Sequence, residues 1–110
     1  MLKESNYFKI ITAVPVKYAK KMRQALGNAG AGVQGNYSHC SGSHKSTGRF
    51  TPLAGAIPAI GEVGKPEEVD EEVIETLCHR DKLEEVVKAL KAVHPYEEPP
   101  IDILKRFEVE

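Results

Sequence analysis

Cysteine is scarce in this sequence of 110 residues: only Cys40 and Cys78 occur, too few for a disulfide-stapled secreted domain. Neither a C-x-x-C nor an H-x-x-x-H spacing is present, which removes the usual signatures of a closed structural zinc site. No apolar run approaches the ~20 residues of a membrane span. The N-terminal "MLKESNYFKIITAVP" has its apolar run interrupted by Lys9 and lacks the cleavage site of a secretory signal. Charge of one sign is not in excess either: 15 Lys and Arg stand against 16 Asp and Glu, so no basic field favours nucleic acid. Together these absences lead us to expect a cytoplasmic protein with two free thiols and no nucleic-acid or membrane partner.

What is present fits one domain, residues 1–110, with a real core. "YFKIITAV" (7–14) is aromatic and β-branched and too short for a helix, so it reads as a buried strand. Pro15 ends it and can open a helix. Val16, Ala19, Met22, Leu26 and Ala29 then recur at helical spacing, with Lys17, Lys20, Lys21 and Arg23 on the outer face. The glycines of "GAGVQGN" (30–36) stop that helix, and "NYSHCS" (36–41) reads as a short strand. The segment 41–66, rich in Gly and Pro, is a long excursion or hairpin. In 67–80 the apolar positions Val69, Val73, Ile74 and Leu77 fit a helical stripe slightly better than an alternating strand. Residues 82–93 form an amphipathic helix, with Asp81 as N-cap and Pro95 as stop. Alternation in 101–109, with Ile101, Ile103 and Phe107 inward, predicts a closing strand.

Several motifs carry candidate chemistry. Gly30-Ala31-Gly32-Val33-Gln34-Gly35 matches G-x-G-x-x-G, but it follows a helix and precedes a strand. A dinucleotide site needs the reverse order, so these glycines are expected to cap a helix. His39, Cys40 and His44 are close in sequence, yet neighbours on a strand point to opposite faces. A shared ion would then need a second subunit. Cys78-His79 has no catalytic or metal spacing. The glutamates of "EEVDEEVIE" divide between two faces if this segment is a strand, Glu71 with Glu75 and Asp70 with Glu72. The densest cluster is "AVHPYEEPP" (92–100). Three prolines stiffen it, and a stiff turn holds functional groups at low entropic cost. His94, Tyr96, Glu97 and Glu98 are therefore the candidate ligand-binding residues, while His39, Cys40, His94 and Glu97 are the candidate metal ligands.

Four stretches in this order, "AVP", "AGAGVQGNYSHCS", "TGRFTPLAGAIPAIG" and "HPYEEPPID", resemble a known family. It is the small CutA-like, PII-like domain found inserted in Nif-three-like dinuclear metal-centre proteins, the GTP cyclohydrolase type 2 homologues. The resemblance runs from about Tyr7 to Phe107. It implies an α+β, ferredoxin-like β-α-β-β-α-β sandwich, with a long loop or hairpin between its second and third core strands. It also turns "VDEEVIETL" into the third core strand, overruling the helical stripe. The residues that hold the two metals in that family lie in flanking domains, so the dinuclear centre maps to no position here. The implied function is a non-enzymatic, trimeric binding or regulatory module, with a small molecule or divalent metal ion as its ligand or cofactor. The alternatives are a metal-dependent nucleotide hydrolase resembling GTP cyclohydrolase, and a scaffold that docks on a separately encoded partner.

Overall fold

A computed structural model describes all 110 residues. In chain order it contains β1 (Leu2–Glu4), β2 (Tyr7–Pro15), α1 (Ala19–Asn28), β3 (Gly42–Phe50), β4 (Glu67–His79), α2 (Leu83–Val93), β5 (Ile101–Leu104) and β6 (Phe107–Val109). One 3-10 turn leads into each helix, Val16–Tyr18 into α1 and Arg80–Lys82 into α2.

Strands β2, β3, β4 and β5 form one antiparallel sheet in the order β3-β4-β2-β5, and β1 pairs with β6 in a separate ribbon. With α1 between β2 and β3, and α2 between β4 and β5, this is the expected ferredoxin-like arrangement. The segment 67–80 is indeed a strand, the longest of the molecule. Its helical stripe is overridden because Ile74, Thr76 and Cys78 alternate onto the helix-covered face, where all three are buried.

Both helices pack on a single face of the sheet. Ile10 and Val14 of β2, Ile74 and Cys78 of β4, Met22 and Leu26 of α1, and Val86 and Leu90 of α2 close that core. The pleat puts every second residue on the opposite face. There the register aligns Ile11 with Glu75, Ala13 with Val73, and Pro15 with Glu71, and no helix covers them.

The structure differs from the sequence-based expectation in three places. "NYSHCS" is not a strand: His39 has φ 57, and the second core strand begins only at Gly42. The residue types at 36–41 suit a strand, but the chain is still closing the α1 turn. There Gly32 N–H donates to Leu77 O and Cys40 N–H donates to Gly32 O. The closing strand is two strands, because the chain leaves β2 after Leu104 and pairs with β1 from Phe107. Ile103 and Phe107 are consequently exposed rather than inward. Finally, Asp81 does not cap the second helical segment: His79 does, its Nδ1 accepting from Asp81 N–H at 3.1 Å.

Candidate functional site

The turn 94–100 is fixed to β2 at both ends. Tyr96 N–H donates to His94 Nδ1 at 3.2 Å, so the ring proton sits on the other nitrogen, and Nε2–H donates to Ala13 O at 2.8 Å. At the far end Thr12 Oγ1 donates to Pro100 O at 2.7 Å. His94 is 7% exposed, and burial holds its pKa below the ordinary imidazole value. This histidine is thus a neutral splint with both nitrogens in use, and it aims the residues that follow.

Tyr96 points across the uncovered sheet face. Its hydroxyl donates to Glu71 Oε2 at 2.6 Å, and its ring meets Phe50 edge-on with centroids 5.9 Å apart. Burial, then the Glu71 hydrogen bond, pushes the Tyr96 phenol above its ordinary range, so it remains a donor. Glu71 itself is 7% exposed. A Cβ on Gly48 of β3 would lie 2.3 Å from Glu71 Oε1, so glycine at that position makes room for the carboxylate. Glu97 reaches the other way: its Oε1 accepts from Ile57 N–H at 3.0 Å and so ties the loop 51–66 to the turn.

Between that loop, the turn and the sheet lies a cleft of about 510 Å³, lined among others by Ala13, Gly48, Phe50, Pro52, Glu71, Tyr96, Glu97 and Glu98. Of the expected ligand-binding residues it gathers Tyr96, Glu97 and Glu98, while His94 positions them from behind. His39 and Cys40 lie elsewhere, along a narrow crevice beside Arg23, Leu26 and Gly27 of α1. The ring of His39 bonds Asn28 Oδ1 at 2.9 Å and Ser38 Oγ at 3.0 Å. Within the chain no three His, Cys, Asp or Glu side chains are placed to hold a metal ion. The expected set of His39, Cys40, His94 and Glu97 is not brought together: both nitrogens of His94 are engaged within the chain, and His39 and Cys40 could meet a Glu97 only from a second subunit.

Sequence reasoning passed over Glu71, Gly48 and Phe50. Glu71 looked like one member of a solvated acidic run. Its partner Tyr96 is 25 residues away, so nothing local distinguishes it from Glu75 or Glu72. Those two are paired conventionally, Glu75 with Lys9 at 3.5 Å and Glu72 with Arg23 of α1.

No protein-family model matches the chain. A GTP cyclohydrolase 1 type 2 homolog of Bacillus subtilis is 47% identical over 95 residues, covering 86% of this chain and 26% of that protein. The homologues of this chain are thus NIF3-like GTP cyclohydrolase 1 type 2 homologs. A solved structure of a Bacillus cereus protein related to NIF3 superimposes with TM-score 0.79 at 40% identity, over 96% of this chain and 26% of that one. The chain thus spans about a quarter of the length of these NIF3-like relatives. The periplasmic divalent cation tolerance protein CutA from Archaeoglobus fulgidus shares the fold across 89% of this chain and 81% of its own, with TM-score 0.64 and 20% identity.

Proposed function

We propose that the chain is a non-enzymatic binding or regulatory module that assembles as a trimer and holds its ligand in the cleft beside the turn 94–100. The observation that carries this reading is the cleft itself. A stiff turn, pinned to β2 at both ends, presents Tyr96, Glu97 and Glu98 beside a mostly apolar volume of about 510 Å³. The histidines and cysteines support binding over catalysis. Both nitrogens of His94 are engaged, and His79 serves as a helix-entry cap. Burial raises the Cys78 thiol pKa, which keeps it unreactive.

Trimeric assembly is supported by the CutA-like fold and by the uncovered sheet face, where Ile11, Val73 and Leu77, outside the cleft, are only half-buried. A divalent metal ion bound between subunits, with His39 or Cys40 of one facing Glu97 of another, belongs to the same reading. Two free thiols suit the cytoplasm. Light scattering during size-exclusion chromatography is expected to give three times the chain mass. Calorimetry against divalent ions, nucleotides and small organic molecules is expected to find a ligand, and absence of binding from every class at millimolar concentration would sink the reading.

A second reading takes its support from the relatives' name: the chain takes part in a GTP cyclohydrolase-like, metal-dependent hydrolysis together with domains corresponding to the rest of those relatives' length. It predicts GTP turnover by a complex of the chain with such domains, lost when Glu97 is replaced by alanine. The same complex would fulfil the scaffold alternative if it formed without turnover.

A further inference from the structure

The carboxylate of Glu71 is an unfinished interaction. It sits on the uncovered face of β4, 93% shielded from solvent, with Tyr96 Oη as its one protein donor at 2.6 Å. None of the chain's ion pairs includes it. Oε1 accepts nothing from the protein, yet no fully enclosed side-chain polar atom lacks a partner, so this oxygen keeps some access to solvent; Glu71 lines the cleft on one side and a smaller one, with Lys45 and Asp70, on the other. Buried carboxylates are ordinarily matched by a cation. Glycine at position 48 lets the carboxylate lie directly against β3, where a Cβ would displace it.

The walls define what would complete the match. Glu97 and Glu98 add negative charge to the lining, while its one guanidinium, Arg49, has its Nε 3.7 Å from Glu68 Oε1. Phe50 and Tyr96 supply aromatic surface, and Ala13, Pro52, Pro58 and Ile60 make the remaining wall apolar. Phosphates and other anions meet the wrong sign of charge. A bare divalent ion wants six or more oxygen ligands, and no three candidate side chains converge. An ammonium or amidinium group fits, since it is satisfied by a carboxylate, a phenol oxygen and ring faces, while its organic body fills the apolar space.

We propose that this cleft binds a small organic cation, an amine or amidine on an apolar body, with Glu71 as its carboxylate partner and Tyr96 holding Glu71 in place. The proposal rests on the reading of the chain as a binding module and names the ligand class of the same cleft.

The test is calorimetry and thermal shift on the full chain with phenethylamine, hexylamine and benzamidine. The uncharged isosteres phenylethanol and hexanol, together with Mg²⁺, Mn²⁺ and ATP, serve as comparators. The amines and benzamidine are expected to bind at least tenfold more tightly than the alcohols. Glu71→Gln is expected to lose at least tenfold of that affinity. Should Glu71→Gln fail to fold, Ala56→Trp, in the loop over the cleft, must block binding while leaving the unfolding midpoint unchanged. Equal affinity for amine and alcohol overturns the proposal. So does binding that Ala56→Trp, or a folded Glu71→Gln, leaves intact. Binding confined to metal ions or ATP overturns it while the binding-module reading stands, and silence from every class overturns both.

Discussion

The two junctions that follow the helices solve one structural problem in opposite ways. After α1 the chain turns on backbone. Gly30 N–H donates to Gly27 O and Ala31 N–H to Leu26 O, the paired bonds of a Schellman cap, with Gly30 at φ 114. After α2 the chain turns on side chains, with His94 bridging Ala13 and Tyr96 and three prolines stiffening the remainder. The glycine junction closes the fold and leaves His39 solvent-exposed. The histidine-proline junction closes the fold and also fixes the orientation of three polar side chains over a cleft. A site is built more readily where the turn is made by side chains, since the same hydrogen bonds that stop the helix also aim the residues after it.

That contrast can be broken from either side. The largest effect is expected at Gly32, which has φ 75 and whose added Cβ would lie 2.5 Å from Cys40 O. Gly32→Ala combines left-handed strain with a backbone clash and is expected to cost on the order of 3 kcal/mol in urea unfolding, without a specific effect on the cleft. His94→Ala comes next. It leaves Ala13 O and Tyr96 N–H without their partner in a part-buried place, at about 2 kcal/mol. Unlike Gly32→Ala, it should also release Tyr96, seen as lost contact with Phe50 in nuclear Overhauser spectra.

The third prediction is the pH dependence. Burial lowers the folded-state pKa of His94 below its unfolded value near 6.5, so the unfolded chain takes up the proton first. The His94 contribution is fully present above pH 6.5 and declines as pH falls through the window below it. His94→Gln, which keeps a donor and an acceptor but does not titrate, should flatten this part of the stability profile. An unchanged slope would show that other groups set the acid limit. The smallest effect is expected for Glu97→Ala, under about 0.5 kcal/mol globally because its bond to Ile57 N–H is exposed. Its signature is faster hydrogen exchange at the Ile57 amide, with the unfolding midpoint nearly unmoved.

The arrangement of the core was legible because apolar residues recur at the right period. Val86 and Leu90 on α2, and Ile10 and Val14 on β2, are buried as their spacing predicts. The third strand was not legible from periodicity, since a strand buried on one face and lined by glutamates on the other mimics a helical stripe over a few turns. Resemblance to related sequences decided it. The closing strand failed for another reason. Ile101, Ile103 and Phe107 share one phase although Lys105 falls out of it, but pairing partners change there, and partner choice is non-local. The turn 94–100 stood out by its density of functional groups. The carboxylate that completes it, Glu71, did not, because its significance comes only from Tyr96 and Gly48 meeting it in space.

The β1–β6 ribbon sets how the sandwich could be joined to further chain. Leu2 pairs with Val109, and Glu110 N–H donates to Met1 O at 3.0 Å, so entry and exit lie side by side. A host chain would need to open a loop by only one strand spacing, roughly 5 Å, to take in the whole sandwich. The ribbon would then act as a two-rail stalk. Because β1 and β6 pair only with each other, the four-stranded sheet keeps its own hydrogen bonds whatever the ribbon is joined to.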